Sequence, residues 1–245
     1  MSIFNEFLVL GNVWDVSSGL SCQKLGFKAI GTSSAAVAAS LGFEDGEDMP
    51  FADLLAVVAS IRARVDLPLT VDIEGGYARD ADGIIGNVKA LVDLGVVGIN
   101  IEDSVVEAGV RRMLPANDFG RIIGDIKAEI GDEMFLNART DAYIMGLDVP
   151  FEPTVERIKH YKAAGADGVF VPCITDIAEI KRLVDISELP LNVMCMPDLP
   201  DFADLKKVGV KRISMGPFAY NMMINYFERK LSKVIADQSF KAMFG

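Results

Sequence analysis

Histidine is almost missing from this chain, with His160 the single copy in 245 residues. A Ser-His-Asp triad, a His-ligated zinc ion and a histidine general base are therefore effectively excluded. His160 itself falls in an expected outer helix, where a packing role is the simple reading. Cysteine is sparse too: Cys22, Cys173 and Cys195, with no CxxC pair. An odd, thin set in a chain of this length argues for a reducing compartment. Positive charge is in deficit, with 24 Lys+Arg against 35 Asp+Glu and a net charge of −11. The nearest approach to a basic cluster is Arg111-Arg112, so nucleic acid and anionic membrane surfaces are poor partners. No apolar run reaches ~18 residues without charge or Gly/Pro punctuation, so no transmembrane helix is expected. The start, Met1-Ser2-Ile3-Phe4-Asn5-Glu6, has no basic n-region, so no signal peptide is expected and the cytoplasm is the default.

What is present is a recurring junction. A helical pattern ends in Gly and a short apolar run follows: Leu25-Gly26-Phe27, Leu94-Gly95-Val96, Ala164-Gly165-Ala166 and Val208-Gly209-Val210. Glycine past the last turn takes the left-handed cap that ends a helix. A buried parallel strand then reads as a brief apolar run. The pattern predicts strands over 7–12, 29–32, 69–73, 98–102, 134–139, 168–172, 191–194 and 212–215. It predicts helices over 16–25, 50–64, 80–94, 117–130, 153–164, 176–184, 201–208 and 217–236. Eight alternating units imply an α/β fold, a closed (β/α)8 TIM barrel of one domain over 1–245. An open doubly wound sheet is the alternative, weakened by the lack of a GxGxxG or GxxxxGK[ST] loop.

A barrel of this kind carries its site at the C-terminal strand ends. The third strand ends Val71-Asp72-Ile73-Glu74, the fourth Ile101-Glu102-Asp103, the fifth Ala138-Arg139-Thr140-Asp141. Asp72 and Glu74, two apart on a strand, share a face. Glu102 lies at the matching level of the next strand. Such acids either pair with Lys/Arg at the rim or hold a cation, and an all-oxygen set suits Mg2+, with Mn2+ as its substitute. Arg139 is a fixed cation that could grip a substrate carboxylate bidentately or pair with Glu102 or Asp72, and the two roles can coexist. Thr32-Ser33-Ser34 offers backbone N–H groups to an anion or is simple turn packing. Trp14 and Tyr77 flank the site as packing residues with a further claim on substrate contact. Cys173 and Cys195 follow the sixth and seventh strands near the same mouth, either as small buried residues or as thiols able to donate a proton.

The runs Asn12-Val13-Trp14-Asp15, Gly31-Thr32-Ser33-Ser34-Ala35, Ala39-Ser40-Leu41-Gly42-Phe43-Glu44-Asp45-Gly46, Val71-Asp72-Ile73-Glu74-Gly75-Gly76-Tyr77, Ile101-Glu102-Asp103-Ser104 and Ala138-Arg139-Thr140-Asp141 together resemble the phosphoenolpyruvate mutase/isocitrate lyase superfamily. The resemblance implies a (β/α)8 barrel, often with its last helix swapped between subunits of a homodimer or homotetramer. It implies a 2-oxoacid substrate held on Mg2+. Asp72 then corresponds to the principal metal carboxylate, and Glu74 and Glu102 to acids holding the ion, often through water. Asp45 corresponds to the acid on the loop near the metal, Arg139 to the substrate arginine, and Ser33 and Ser34 to the amides that hold the substrate carboxylate. One segment departs. Where the isocitrate and methylisocitrate lyases carry a Lys-Lys-Cys-Gly-His-type gating loop, this chain has Ser104-Val105-Val106-Glu107-Ala108-Gly109-Val110-Arg111-Arg112, without Cys or His. Nor does it match the Lys-rich loop of the mutases and phosphonopyruvate hydrolases. It is more similar to the short branch that includes oxaloacetate decarboxylases.

The expectation is therefore a Mg2+-dependent lyase on an oxaloacetate-like acid. A cation chelated by a 2-oxoacid acts as a Lewis acid, and cleavage at C3 leaves an enolate whose charge the ion and Arg139 neutralise. Decarboxylation needs only this electron sink and then a proton. The alternatives are a phosphonopyruvate-type P–C hydrolase or mutase, and a catalytically weak barrel that binds a dicarboxylate.

Overall fold

The computed structural model describes residues 2–107 and 109–244. Its strands are β1 (Leu8–Val9), β2 (Gly11–Val13), β3 (Ile30–Thr32), β4 (Leu69–Asp72), β5 (Gly98–Glu102), β6 (Ser104–Glu107), β7 (Val110–Met113), β8 (Phe135–Arg139), β9 (Gly168–Val171), β10 (Leu191–Met194) and β11 (Arg212–Ser214). The helices are α1 (Val16–Lys24), α2 (Ser34–Leu41), α3 (Phe51–Arg62), α4 (Ala81–Asp93), α5 (Ala116–Ile130), α6 (Phe151–Ala163), α7 (Ile177–Ser187), α8 (Phe202–Val208) and α9 (Phe218–Asp237).

The main sheet runs β1-β11-β10-β9-β8-β5-β4-β3-β2, every pairing parallel. Its two ends, β1 and β2, are one strand interrupted at Leu10. The Leu10 amide donates to the Ile213 carbonyl at 2.8 Å, while the Gly11 amide donates to Ala29 at 3.4 Å. The chain thus crosses from the last strand to the second within three residues, which closes the barrel and rules out the open sheet. Each expected strand and each expected helix has its counterpart.

Two segments for which no element was expected are regular. Residues 34–41 form α2, because Ser33 caps its start and Gly42, at φ +85°, caps its end. Ser104–Glu107 and Val110–Met113 form the antiparallel pair β6–β7, with Val106 opposite Arg111; Ala108 lies outside the described residues. No helix among the described residues is long and apolar enough to cross a membrane.

Outward-facing Val71, Ile73, Ile99, Ile101, Leu136 and Ala138 pack beneath Leu54, Val58, Val88, Leu91, Ile123 and Ile126 of the helices. At ~25 cal/mol per Å2 of apolar surface, this layer is the main stabilising term of the fold. The barrel interior differs. Its middle layer is polar and bonded to itself. Asn137 Nδ2 donates to Asn100 Oδ1 at 2.9 Å and to Asn192 Oδ1 at 3.2 Å, and Arg212 Nη2 donates to Thr70 Oγ1 and Asn100 Oδ1 at 3.3 and 3.2 Å. Above it sit the charged ends of β4, β5 and β8; below it lie Leu10 and Phe135.

Helix α9 stands apart. None of its residues is buried, and it packs mainly against the terminal turn Phe240–Met243. Phe218, Met222, Met223, Tyr226, Phe227, Leu231 and Ile235 are all exposed along it.

Candidate active site

Strand register sets the charged rim. Glu102 on β5 lies directly opposite Arg139 on β8, and Asp72 on β4 opposite Asn100, one level lower on β5. The Glu102 amide donates to the Glu74 carbonyl at 2.8 Å, which brings Glu74 level with it. Glu74 is left-handed, with φ +48°. That turn carries its side chain to Tyr77, whose hydroxyl donates to Glu74 Oε1 at 3.1 Å.

A cavity of about 220 Å3 opens at this rim, lined by Ser33, Ser34, Asp45, Asp72, Arg139 and Cys173 among others. Asp72 is its floor. Ser34 Oγ donates to Asp72 Oδ2 at 3.3 Å, and the Asp72 amide donates to Thr32 Oγ1 at 2.9 Å. Thr32 therefore fixes the backbone of Asp72. Ser33 and Ser34 stand at the N-terminal end of α2, where amides and helix dipole favour an anion. Trp14 is placed outside the cavity lining, its ring meeting Tyr220 edge-on at 5.3 Å. Cys195 lines a separate, larger groove beside α9, and His160 sits on α6 in the outer ring.

Arg139 is held on both sides. Its Nε donates to Asp141 Oδ1 at 2.6 Å, and its Nη1 lies 2.7 Å from Glu102 Oε2. A second guanidinium reaches the same acids. Arg111, from β7, donates to Glu102 Oε1, to Ser104 Oγ at 2.8 Å and to Asp141 Oδ2 at 3.0 Å, and its Nη2 is 3.5 Å from Asp45 Oδ2. Asp141 and Arg111 were not assigned a place at the site by sequence. The Arg139-Thr140-Asp141 spacing could have suggested the first; nothing local aims Arg111 inward.

The site holds more acid than base. Burial pushes the Asp72 carboxyl above its usual range despite Arg139 nearby. Burial, with Asp45 and Asp72 beside it, pushes Glu74 up to about 8. Burial raises Glu102 well above its usual value against the pull of Arg139. Burial would lower the Arg139 guanidinium, but Glu102, Asp141 and Asp72 hold it higher still. Among the described residues no three His, Cys, Asp or Glu side chains converge into one direct ligand set. Asp72, Glu74 and Glu102 share a neighbourhood, with Glu74 turned to Tyr77 and Glu102 to the two arginines. Yet Glu102 Oε2, buried and close to Arg139, makes no aligned hydrogen bond.

A family model for phosphoenolpyruvate phosphomutase matches residues 4–235. The chain belongs to this family. It is thereby a member of the phosphoenolpyruvate mutase/isocitrate lyase superfamily, as the resemblance implied, and the barrel is that superfamily's (β/α)8 fold. The chain is 38% identical over 213 residues to an uncharacterised protein of Mycobacterium tuberculosis, covering 87% of this chain and 79% of that one. It is 28% identical over 225 residues to an oxaloacetate decarboxylase of Pseudomonas savastanoi pv. phaseolicola, covering 88% and 76%. Against 2-methylisocitrate lyase of Escherichia coli it is 29% identical over 198 residues, covering 76% and 64%. A solved protein from Burkholderia cenocepacia J2315, provisionally named a phosphonomutase, superposes with TM-score 0.88 at 34% identity, covering 94% and 96%. The superfamily is one of enzymes, and these relatives include carbon–carbon lyases.

Proposed function

We propose that the protein is a Mg2+-dependent lyase cleaving the C3 bond of a small oxaloacetate-like 2-oxoacid. The observation that carries this is the cavity itself: a buried Asp72 floor, the α2 N-terminus on one side and a doubly anchored Arg139 on another. The donor set fits a hard divalent cation, because it is all oxygen, over-acidic and leaves a buried Glu102 oxygen without an aligned partner. Asp72 would hold the ion, with Glu74, Glu102 and Asp45 around it. When bound, such an ion supplies Lewis acidity to the oxoacid carbonyl.

The chain's own groups do the rest. Amides at Ser33 and Ser34 meet the C1 carboxylate. Arg139, locked by Glu102 and Asp141, faces the oxygen on which negative charge grows, and its rigidity means little reorganisation during reaction. Cys173 lines the same cavity, and burial pushes its thiol up, so it is protonated at neutral pH and able to deliver a proton to carbon. Both lining carboxylates, Asp45 and Asp72, are assigned to the ion in this reading, which leaves no evident base and favours decarboxylation over retro-aldol cleavage. Helix α9, apolar and exposed, packs in our reading on a second copy of the chain, giving a homodimer or homotetramer.

The test is pyruvate release from oxaloacetate with Mg2+ and with chelator, beside Asp72→Ala. Metal-dependent release above the metal-only background, abolished in Asp72→Ala, is the expected result. If none occurs while Mg2+ with oxalate still raises the melting temperature, oxaloacetate is the wrong substrate. P–C hydrolysis of a phosphonate 2-oxoacid is then the assay to run.

A further inference from the structure

Arg111 is the residue that the reading above leaves without a task. It is carried by the β6–β7 hairpin, outside the barrel, yet its guanidinium enters the carboxylate cluster. It contacts Glu102 Oε1, Asp141 Oδ2 and Asp45 Oδ2 at once. Two of these, Glu102 and Asp45, belong to the set assigned to the divalent ion. The acids outnumber the cations here: Asp45, Glu102 and Asp141 are met by Arg111 and Arg139, Asp72 has only Arg139 and the more distant Arg212 near it, and Glu74 keeps its proton.

Arg139 and Arg111 are not equivalent. Arg139 is on a barrel strand and buried, and its partners hold it along two edges. Arg111 keeps about a fifth of its side chain exposed, on a hairpin whose Glu107, Val110 and Arg112 are at the surface. The hairpin touches the Asp45 loop directly: a Cβ added at Gly46 would sit 2.7 Å from Val106 Cγ2. The hairpin and the loop bearing Asp45 are thus packed against each other.

We propose that Arg111 is a tethered counter-cation that competes with the divalent ion for Glu102 and Asp45, so that ion binding displaces the β6–β7 hairpin. The inference rests on the metal reading given above. Like charges contending for the same oxygens cannot both be held at full strength, and the mobile one yields. In the ion-free protein Arg111 offsets part of the cluster's charge. With the ion bound, its guanidinium turns outward and the hairpin with it.

The experiment measures Mn2+ binding by electron paramagnetic resonance, without substrate, for the wild type, Arg111→Met, Arg111→Lys and Asp72→Ala. Hydrogen exchange over residues 104–113 is followed with and without Mn2+. Arg111→Met should bind Mn2+ roughly tenfold more tightly than the wild type, Arg111→Lys should fall between them, and Mn2+ should raise exchange in the wild-type hairpin. Equal or weaker Mn2+ binding by Arg111→Met, with wild-type binding still sensitive to Asp72→Ala, overturns this proposal and leaves the metal reading standing. Absence of Mn2+ binding in both wild type and Arg111→Met overturns both. If Arg111→Met does not fold, unchanged hairpin exchange on adding Mn2+ to the wild type overturns the proposal by itself.

Discussion

Asp103 is the place to perturb first, because a single side chain there ties the rim to the outer ring. It is fully buried and accepts three hydrogen bonds: from the Asp141 amide at 3.0 Å, the Tyr161 hydroxyl at 2.6 Å and Arg157 Nη1 at 2.9 Å. Asp103→Ala removes all three and leaves the Arg157 guanidinium, itself largely covered, without its carboxylate. Breaking a buried pair from one side costs ~3–5 kcal/mol. In a chain of this size each kcal/mol moves the melting temperature by ~2–4 °C, so a fall of ~6–20 °C is expected. Tyr161→Phe takes away one donor to Asp103 and one acceptor for Arg157, and should cost ~1.5–3 kcal/mol. Because both changes strike one network, Asp103→Ala with Tyr161→Phe should be non-additive by at least ~0.5 kcal/mol. Urea denaturation of the four proteins, read by far-UV circular dichroism, decides the matter. Additive effects, or an Asp103→Ala cost below ~1 kcal/mol, would refute the claim that this network anchors Asp141 and through it Arg139.

Three further outcomes follow from the geometry. Glu74 carries a proton in the native state up to about 8, above its ordinary 4.5, so the folded state binds more protons than the unfolded in that window. Metal-free protein should therefore lose stability as pH rises from the lower value to the higher; Glu74→Gln should flatten the loss, and an unchanged slope would reject the assignment. Gly76 has φ +108°, and an added Cβ would lie 2.8 Å from Ile84 Cγ1, so Gly76→Ala should destabilise by ~1–3 kcal/mol in a thermal melt. Met222→Glu with Phe227→Glu should shift sedimentation to the monomer mass if α9 packs on a second copy; an unaltered mass would remove α9 from the interface.

The barrel was legible because its signal is repetitive. Glycine caps such as Gly26, Gly95, Gly165 and Gly209 mark helix ends, and strands between them are short and apolar. Helix α2 escaped because Ser34–Leu41 is mostly alanine and serine, with no amphipathic period to read. Only its caps, Ser33 and Gly42, mark it. The hairpin escaped because Ser104–Glu107 and Val110–Met113 are short and their residues, SVVE and VRRM, show no alternation of apolar and polar types. At the site, acids two apart on one strand were readable as a shared face. The pairings of Arg111 were not, since they join positions 45, 102, 111 and 141 through the closed fold. Arg212 was hidden for a related reason: beside Lys211 it looks like one of two charges at a strand start, and only barrel closure turns it inward over Thr70 and Asn100.

That polar middle layer has a consequence for how the molecule tolerates change. Below it, Leu10 and Phe135 form an oily plug; above it lie the charges of the rim. The asparagines and Arg212 insulate one from the other, as a bulkhead separates two holds. Sequence drift in the plug should register as thermal fragility with chemistry intact, and drift at the rim as altered chemistry in a sound shell. The bulkhead itself, where a lost amide orphans several neighbours at once, is the stratum in which neither kind of drift is free.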